Sequence, residues 1–281
     1  MANSAGMSFN SKVVLFVVIL GAVVLFYKYN SSKVNTEELD EELLIKDLQK
    51  ASLGVLGMSN WDEIKKVAVA NLALRVTDGK VDLGGKGLVF RREVVDSTQK
   101  KTKGSIVFLH GMKFKSQTWL DLGTLHVIAS YGYRTIAVDL PGFGETAAIS
   151  GLNPVDFLTE FLKSMKIEDP GNVLIVSPSM SGSFSLPFLM AHPDRFKGFV
   201  PVAPVDTQKY NAAAYQQLKV PTMIVYGSKD TTLGVQSLGN LRNIPGSGIV
   251  KIEEAGHACY LDQPLVFHKH LKDFADKVYS Q

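Results

Sequence analysis

Short apolar runs rich in β-branched residues recur between Ser105 and Glu254: SIVFLHG (105–111), YRTIAVDLPG (133–142), NVLIVSPS (172–179), GFVPVAP (198–204), TMIVYGS (222–228) and GIVKIEE (248–254). Runs this short, with no polar alternation, are buried on both faces, the condition of parallel strands covered by helices. Helix-period stretches at 118–131, 153–166, 182–191, 232–242 and 264–279 supply that cover. The pattern predicts a doubly wound, mostly parallel α/β sheet, with ligands expected outside the carboxyl ends of its strands. Ahead of it, VAVANLALRV (67–76) and GLVFRREVV (87–95), separated by the turn-rich TDGKVDLGGK, predict an antiparallel start to the sheet.

The chain has 281 residues, enough for one large domain, over 66–281, plus an appendage. Lys+Arg number 30 against 27 Asp+Glu, and no basic stripe interleaved with aromatics gathers on one segment, which argues against nucleic acid as a partner. The single cysteine, Cys259, excludes an internal disulfide and a cysteine-based zinc cage. No H-E-x-x-H or C-x-x-C occurs, so no metal centre is expected. Gly142-Phe143-Gly144-Glu145-Thr146-Ala147 fits a dinucleotide pattern only superficially, because a proline precedes it and no clear helix follows; Gly85-Lys86-Gly87 lacks the Ser or Thr of a phosphate loop.

The appendage is apolar. From Val13 to Tyr27 the sequence carries neither charge nor proline. As a helix it covers about 22 Å of a hydrocarbon core about 30 Å thick, leaving the flanking Phe9, Lys12, Lys28 and Tyr29 to supply the rest. FYKYN (26–30) offers no small-x-small cleavage site, and the region lacks the arginines of a mitochondrial presequence. An uncleaved signal anchor is therefore predicted over 13–29, after a short tail at 1–12. Lys12 set against Lys28 and Lys33 leaves its orientation open. Asn30-Ser31-Ser32 is a glycosylation sequon, usable only on the lumenal side. Residues 30–65 read as a stalk, with an amphipathic helix from Thr36 that aligns Leu39, Leu43, Leu44, Leu48 and Leu53.

The chemistry gathers at strand ends. Val173-Leu174-Ile175-Val176 runs into Ser177-Pro178-Ser179-Met180-Ser181-Gly182 and then an apolar helix. A nucleophile elbow needs small residues two before and two after the nucleophile, positions normally glycine and here serine. Ser179 fits the nucleophile, with Ser181 competing; the alternative is a serine-rich turn that only caps the helix. A serine hydroxyl needs a general base, itself oriented by a third group. Among 6 histidines, His257 alone follows a late strand in a Gly-His loop. His268 and His270 read as solvent-facing on a helix, and His126 and His192 as structural or exposed. Asp230, at the end of TMIVYGSKD, is the candidate acid; Asp206 is the runner-up, and Asp139 suits turn hydrogen bonds. The order Ser179, Asp230, His257 is that of a hydrolase triad, and the Met112 and Met180 N–H groups are candidate oxyanion donors.

With these residues assembled, the chain resembles the α/β-hydrolase fold, and within it the α/β-hydrolase-domain-containing 14 group, over roughly residues 68–279. The resemblance rests on LHGMKFKSQTW, LGTLHVIASYGYR, AVDLPGFG, VSPSMSGSFSLPFL, FVPVAP, IVYGSKD and AGHACYLD. It implies Ser179, Asp230 and His257 as the triad. The amino-terminal segment resembles the membrane-anchored form of the group, which implies a type II protein with a lumenal or extracellular catalytic domain. The group's soluble form implies ester hydrolysis or movement of an acyl group from lysine to coenzyme A, although the chain shows no coenzyme-binding motif. A hydrolase-fold interaction protein with little turnover is the competing reading. The short VDTQKYNAAAYQQLKV (205–220) leaves room for only a minimal lid, so short acyl groups are expected.

Overall fold

The computed structural model describes residues 73–167 and 171–280. The tail at 1–12, the 13–29 anchor segment, Asn30 and the 30–65 stalk lie outside the described residues. Among the described residues, no helix is long and apolar enough to cross a membrane.

The chain opens with β1 (Leu74–Asp82) and β2 (Leu88–Asp96), then β3 (Ser105–Phe108), α1 (Ser116–Asp121), α2 (Thr124–Ser130) and β4 (Arg134–Val138). It continues through α3 (Pro154–Ser164), β5 (Val173–Pro178), α4 (Gly182–Ala191), β6 (Phe196–Val202), α5 (Ala212–Gln216) and β7 (Met223–Gly227). It closes with α6 (Leu233–Leu241), β8 (Gly248–Ile252), α7 (Cys259–Asp262) and α8 (Pro264–Tyr279). The strands form one 8-stranded sheet in the order β1-β2-β4-β3-β5-β6-β7-β8. β2 is antiparallel to both β1 and β4, and every later pairing is parallel.

Both faces of this sheet are covered over its central strands; the edge strands β1 and β8 are largely exposed, and the run at 248–254, expected to be buried on both faces, is not, because β8 closes the sheet at its edge. Along β3, Ile106 and Phe108 join one apolar cluster with Trp119, Leu125, Phe267 and Leu271, while Val107 joins the other with Phe157, Phe161, Leu186 and Phe188. Full burial of one such side chain contributes about 1.5–3 kcal/mol, which makes these two layers the main source of stability. Trp119 connects the core to the strand ends. It stacks on Tyr260 at 4.6 Å between centroids, and its Nε1–H donates to the Leu109 carbonyl at 2.7 Å.

Two further sequence expectations are corrected here. The first strand is Leu74–Asp82 rather than 67–76, so part of the expected turn is strand; residues 67–72 lie outside the description. The polar residues of 77–82 are tolerated because β1 is an edge strand, paired in register with β2 from Leu74↔Asp96 to Asp82↔Leu88. The reversal comes later, where Gly84 and Gly85 take positive φ and the Gly85 N–H donates to Asp82 Oδ1 at 2.8 Å. The helix expected over 118–131 is two, because Gly123 at φ +73 breaks it between α1 and α2. By contrast, α4 and α8 match the expected 182–191 and 264–279. α3 starts where Asn153 accepts the Asp156 N–H at 2.9 Å, with Pro154 at the first position.

Candidate active site

β5 ends in a sharp turn at Ser179, whose φ of +51 lies in the left-handed region that a non-glycine residue rarely enters. That conformation costs on the order of 1–2 kcal/mol and lifts the side chain out of the sheet between strand and helix. Two observations show what holds it. The Val205 N–H donates to the Ser179 carbonyl at 2.9 Å, and Gly182, two residues after Met180, packs so closely on Pro204 and Val205 that a Cβ would lie 2.5 Å from the Val205 carbonyl oxygen.

The loop after β8 brings His257 to this serine. Its Nε2 lies 2.9 Å from Ser179 Oγ and its Nδ1 lies 2.6 Å from Asp230 Oδ2. Asp230, at the end of the turn after β7, is 3% exposed, whereas the imidazole is 42% exposed. Burial alone would raise the Asp230 carboxyl; hydrogen bonds from His257, the Gly234 N–H and Thr232 outweigh it and hold the carboxyl below its ordinary value. Asp230 is therefore an anion facing Nδ1, which fixes the proton there and leaves Nε2 free to accept from Ser179. The arrangement can do nucleophilic acyl chemistry.

The rival residues take other roles. Ser181 is fully buried, and its hydroxyl donates to the Pro178 carbonyl at 2.7 Å. Asp206, itself at φ +68, pairs with Lys209 at 2.9 Å. Asp139 accepts the Ser116 N–H at 2.6 Å and the Glu145 N–H at 2.9 Å, the turn role expected of it. His268 corrects the sequence reading. It is buried, at 6% exposure, because it lies on the face of α8 that carries Phe267 and Leu271, and its Nε2 meets Thr124 Oγ1 at 2.8 Å. His126 and His192 are half-buried.

Sequence reasoning passed over His110. It is fully buried, and burial pushes its imidazole below the ordinary value. Nδ1–H donates to the Gly111 carbonyl at 2.9 Å and Nε2 accepts the Leu140 N–H at 3.0 Å, a pairing that requires the neutral ring. The Gly111–Met112 peptide is thereby oriented, and a Cβ on Gly111 would come within 3.4 Å of Ser179 Cβ. The loop carrying the Met112 amide thus lies against the Ser179 turn. The signal was a His-Gly pair directly after a strand. Among the described residues, no group of His, Cys, Asp and Glu is arranged to hold a metal ion.

No family model matches the sequence. "Putative protein-lysine deacylase ABHD14B" of Rattus norvegicus is 40% identical over 216 residues, covering 75% of this chain and 100% of the relative. "Protein ABHD14A" of Danio rerio is 37% identical over 276 residues, covering 96% of this chain and 97% of the relative. Among solved structures, a "predicted CIB-like hydrolase" from Thermoplasma acidophilum matches with a TM-score of 0.64 at 25% identity, over 72% of this chain and 98% of its own. The carboxylesterase CesB of Bacillus subtilis matches with a TM-score of 0.60 at 15% identity, over 76% of this chain and 96% of its own, a likeness of fold. Full-length coverage at this identity, on an eight-stranded hydrolase sheet, means that the chain is a hydrolase-type enzyme belonging to the ABHD14 group of the α/β-hydrolases.

Proposed function

We propose that the protein is a membrane-anchored serine hydrolase acting on acyl substrates through Ser179, His257 and Asp230. The observation that carries this reading is the continuous hydrogen-bonded line from Ser179 Oγ through the imidazole to a buried carboxylate. Ser179 Oγ attacks the acyl carbonyl while its proton passes to His257 Nε2, and Asp230 stabilises the imidazolium through Nδ1–H. The Met112 and Met180 N–H groups receive the developing oxyanion. The proton on Nε2 then goes to the departing alcohol, thiol or amine, leaving an acyl-enzyme. Water, deprotonated by His257, releases the acid.

The segment between β6 and β7 holds only a turn at Thr207–Lys209 and the five residues of α5. So small a cover supports an open site that takes short acyl groups, including one carried on a protein lysine, as the deacylase name of the rat relative indicates. Transfer from such a lysine to the thiol of coenzyme A uses the same acyl-enzyme with a different acceptor. Alignment to the fish relative over 96% of the chain supports a shared amino-terminal region. The apolar run at 13–29 is the proposed anchor, with the catalytic domain lumenal or extracellular and Asn30 open to glycosylation there.

A fluorophosphonate probe tests the chemistry. It should label the wild type and Ser181→Ala, and fail on Ser179→Ala in a protein with an unchanged melting profile. Full labelling of Ser179→Ala refutes the assignment. An unlabelled wild type favours the interaction-protein reading.

A further inference from the structure

The chain closes on itself around His257. The Gly256 N–H, on the Ala255–Gly256 peptide one residue ahead of the histidine's own, donates to Asp262 Oδ2 at 2.7 Å. Asp262 ends α7, a turn fixed by the Leu261 N–H and the Asp262 N–H on the Ala258 carbonyl at 2.8 and 3.2 Å. The carboxylate is thus presented from a hydrogen-bonded helical turn.

The other side of the same peptide is also held. Ser228 and Lys229 donate their N–H groups to the Ile252 and Ala255 carbonyls at 2.9 and 2.8 Å. A Cβ at Gly227 would overlap the carbonyl oxygens of Ala255 and Gly256, so only glycine there lets the turn leading to Asp230 lie this close to the histidine loop. These contacts fix the loop up to Gly256 from the β7 side; Asp262 fixes it from the other. His257 itself is 42% exposed, so beyond its bonds to Asp230 and Ser179 its direction depends on the backbone of the loop that carries it.

We propose that Asp262 is a positioning residue for the reaction. Its carboxylate pins the Gly256 amide and thereby aims the His257 imidazole along the line from Asp230 to Ser179. The inference rests on the reading of His257 as the general base. Asp262 acts through the backbone of Gly256.

The test compares Asp262→Ala, which deletes the acceptor, with Asp262→Asn, which keeps an acceptor oxygen at the same reach, on hydrolysis of p-nitrophenyl acetate. Misplacing a catalytic group by about 1 Å costs about 100-fold, so Asp262→Ala should lower kcat about 10- to 100-fold with KM within about twofold. Asp262→Asn, with a neutral and weaker acceptor, should return kcat to within about fivefold of wild type. Independently of turnover, the low-field proton resonance of His257 Nδ1–H should broaden or vanish in Asp262→Ala and persist in Asp262→Asn. If Asp262→Ala does not fold, Asp262→Ser, whose hydroxyl stops one bond short, carries the same expectation. Wild-type kcat in the Ala or Ser variant, or an Asn variant as impaired as Ala, overturns the proposal. A wild type without Ser179-dependent turnover refutes the hydrolase reading instead, and the proton resonance still decides the role of Asp262.

Discussion

Replacing Gly182 by alanine separates two effects of opposite sign. Gly182 is helical, at φ −55 and ψ −34, so alanine suits its backbone, and helix propensity alone would stabilise the protein by up to about 1 kcal/mol. The space is not there. An added Cβ would sit 2.5 Å from the Val205 carbonyl oxygen, 2.7 Å from Pro204 Cβ and 3.0 Å from the Val205 nitrogen. Ordinary contact is about 3.5 Å, so one side must move by about 1 Å. These neighbours are backbone and proline, with no flexible side-chain end to give way. Overpacking of this kind costs about 1–3 kcal/mol and outweighs the propensity gain, leaving a net loss of up to about 2 kcal/mol. For a domain of this size that lowers Tm by up to about 8 °C. Activity should suffer more, because the Val205 N–H is bonded to the Ser179 carbonyl and a shifted 203–206 segment takes Ser179 with it. A misplacement of about 1 Å predicts a loss of about 100-fold in kcat. The assay is ester turnover and fluorophosphonate labelling beside a thermal melt. A Gly182→Ala protein with raised Tm and wild-type kcat refutes the close-approach argument.

Asp230→Asn should reduce ester turnover by orders of magnitude and Asp206→Asn by less than about threefold, since only Asp230 reaches the imidazole; the reverse ranking of kcat values moves the acid to the loop after β6. Burial lowers His268 from 6.5 to about 4, so between those values the unfolded chain binds a proton that the native state refuses. Stability should therefore fall as pH drops from about 6.5 to 4, by up to about 1.4 kcal/mol per pH unit from this group. His268→Gln should flatten that slope in a series of melts, and an unchanged slope assigns it to other groups. Deleting residues 1–35 should release the protein from carbonate-washed membranes, and retention of the truncated form refutes the anchor. In an ester series the truncated protein should favour short chains; a long-chain preference refutes the open site.

Much of this fold is legible because buried parallel strands have an unmistakable composition. VLIV and TMIVYG are too short and too β-branched for helices, and α3, α4, α5 and α8 begin at an asparagine, glycine or proline. What escapes is what depends on neighbours. Thr77 to Asp82 read as a turn until β2 supplies their backbone partners. His268 read as solvent-facing together with His270, two positions on, although it lies one position from Phe267 and three from Leu271, on the stripe that α8 buries. The members of the candidate triad are legible for the opposite reason: each stands at the end of a recognisable strand. His110 and Asp262 exert their effects through main-chain amides, and His110 does so across to Leu140, where no pattern in the sequence marks the bond.

The two serines that stand where an elbow normally has glycine follow from the same reasoning. A hydroxyl buried without a partner costs about 1–3 kcal/mol, so each substitution alone would weaken the turn. Ser177, Ser181 and Ser185 are all fully buried. Ser181 Oγ–H donates to the Pro178 carbonyl at 2.7 Å, Ser177 Oγ lies 3.0 Å from Ser181 Oγ, and Ser185 Oγ lies 2.6 Å from Ser177 Oγ. With the Ser181 proton committed to the carbonyl, both remaining contacts are satisfied together only if Ser177 donates to Ser181 and Ser185 donates to Ser177. The hydroxyls thus form one directed chain ending on the backbone just before Ser179. The departure from glycine is tolerated as a set, and its third member, Ser185, stands a full turn of α4 outside the motif that sequence comparison would examine.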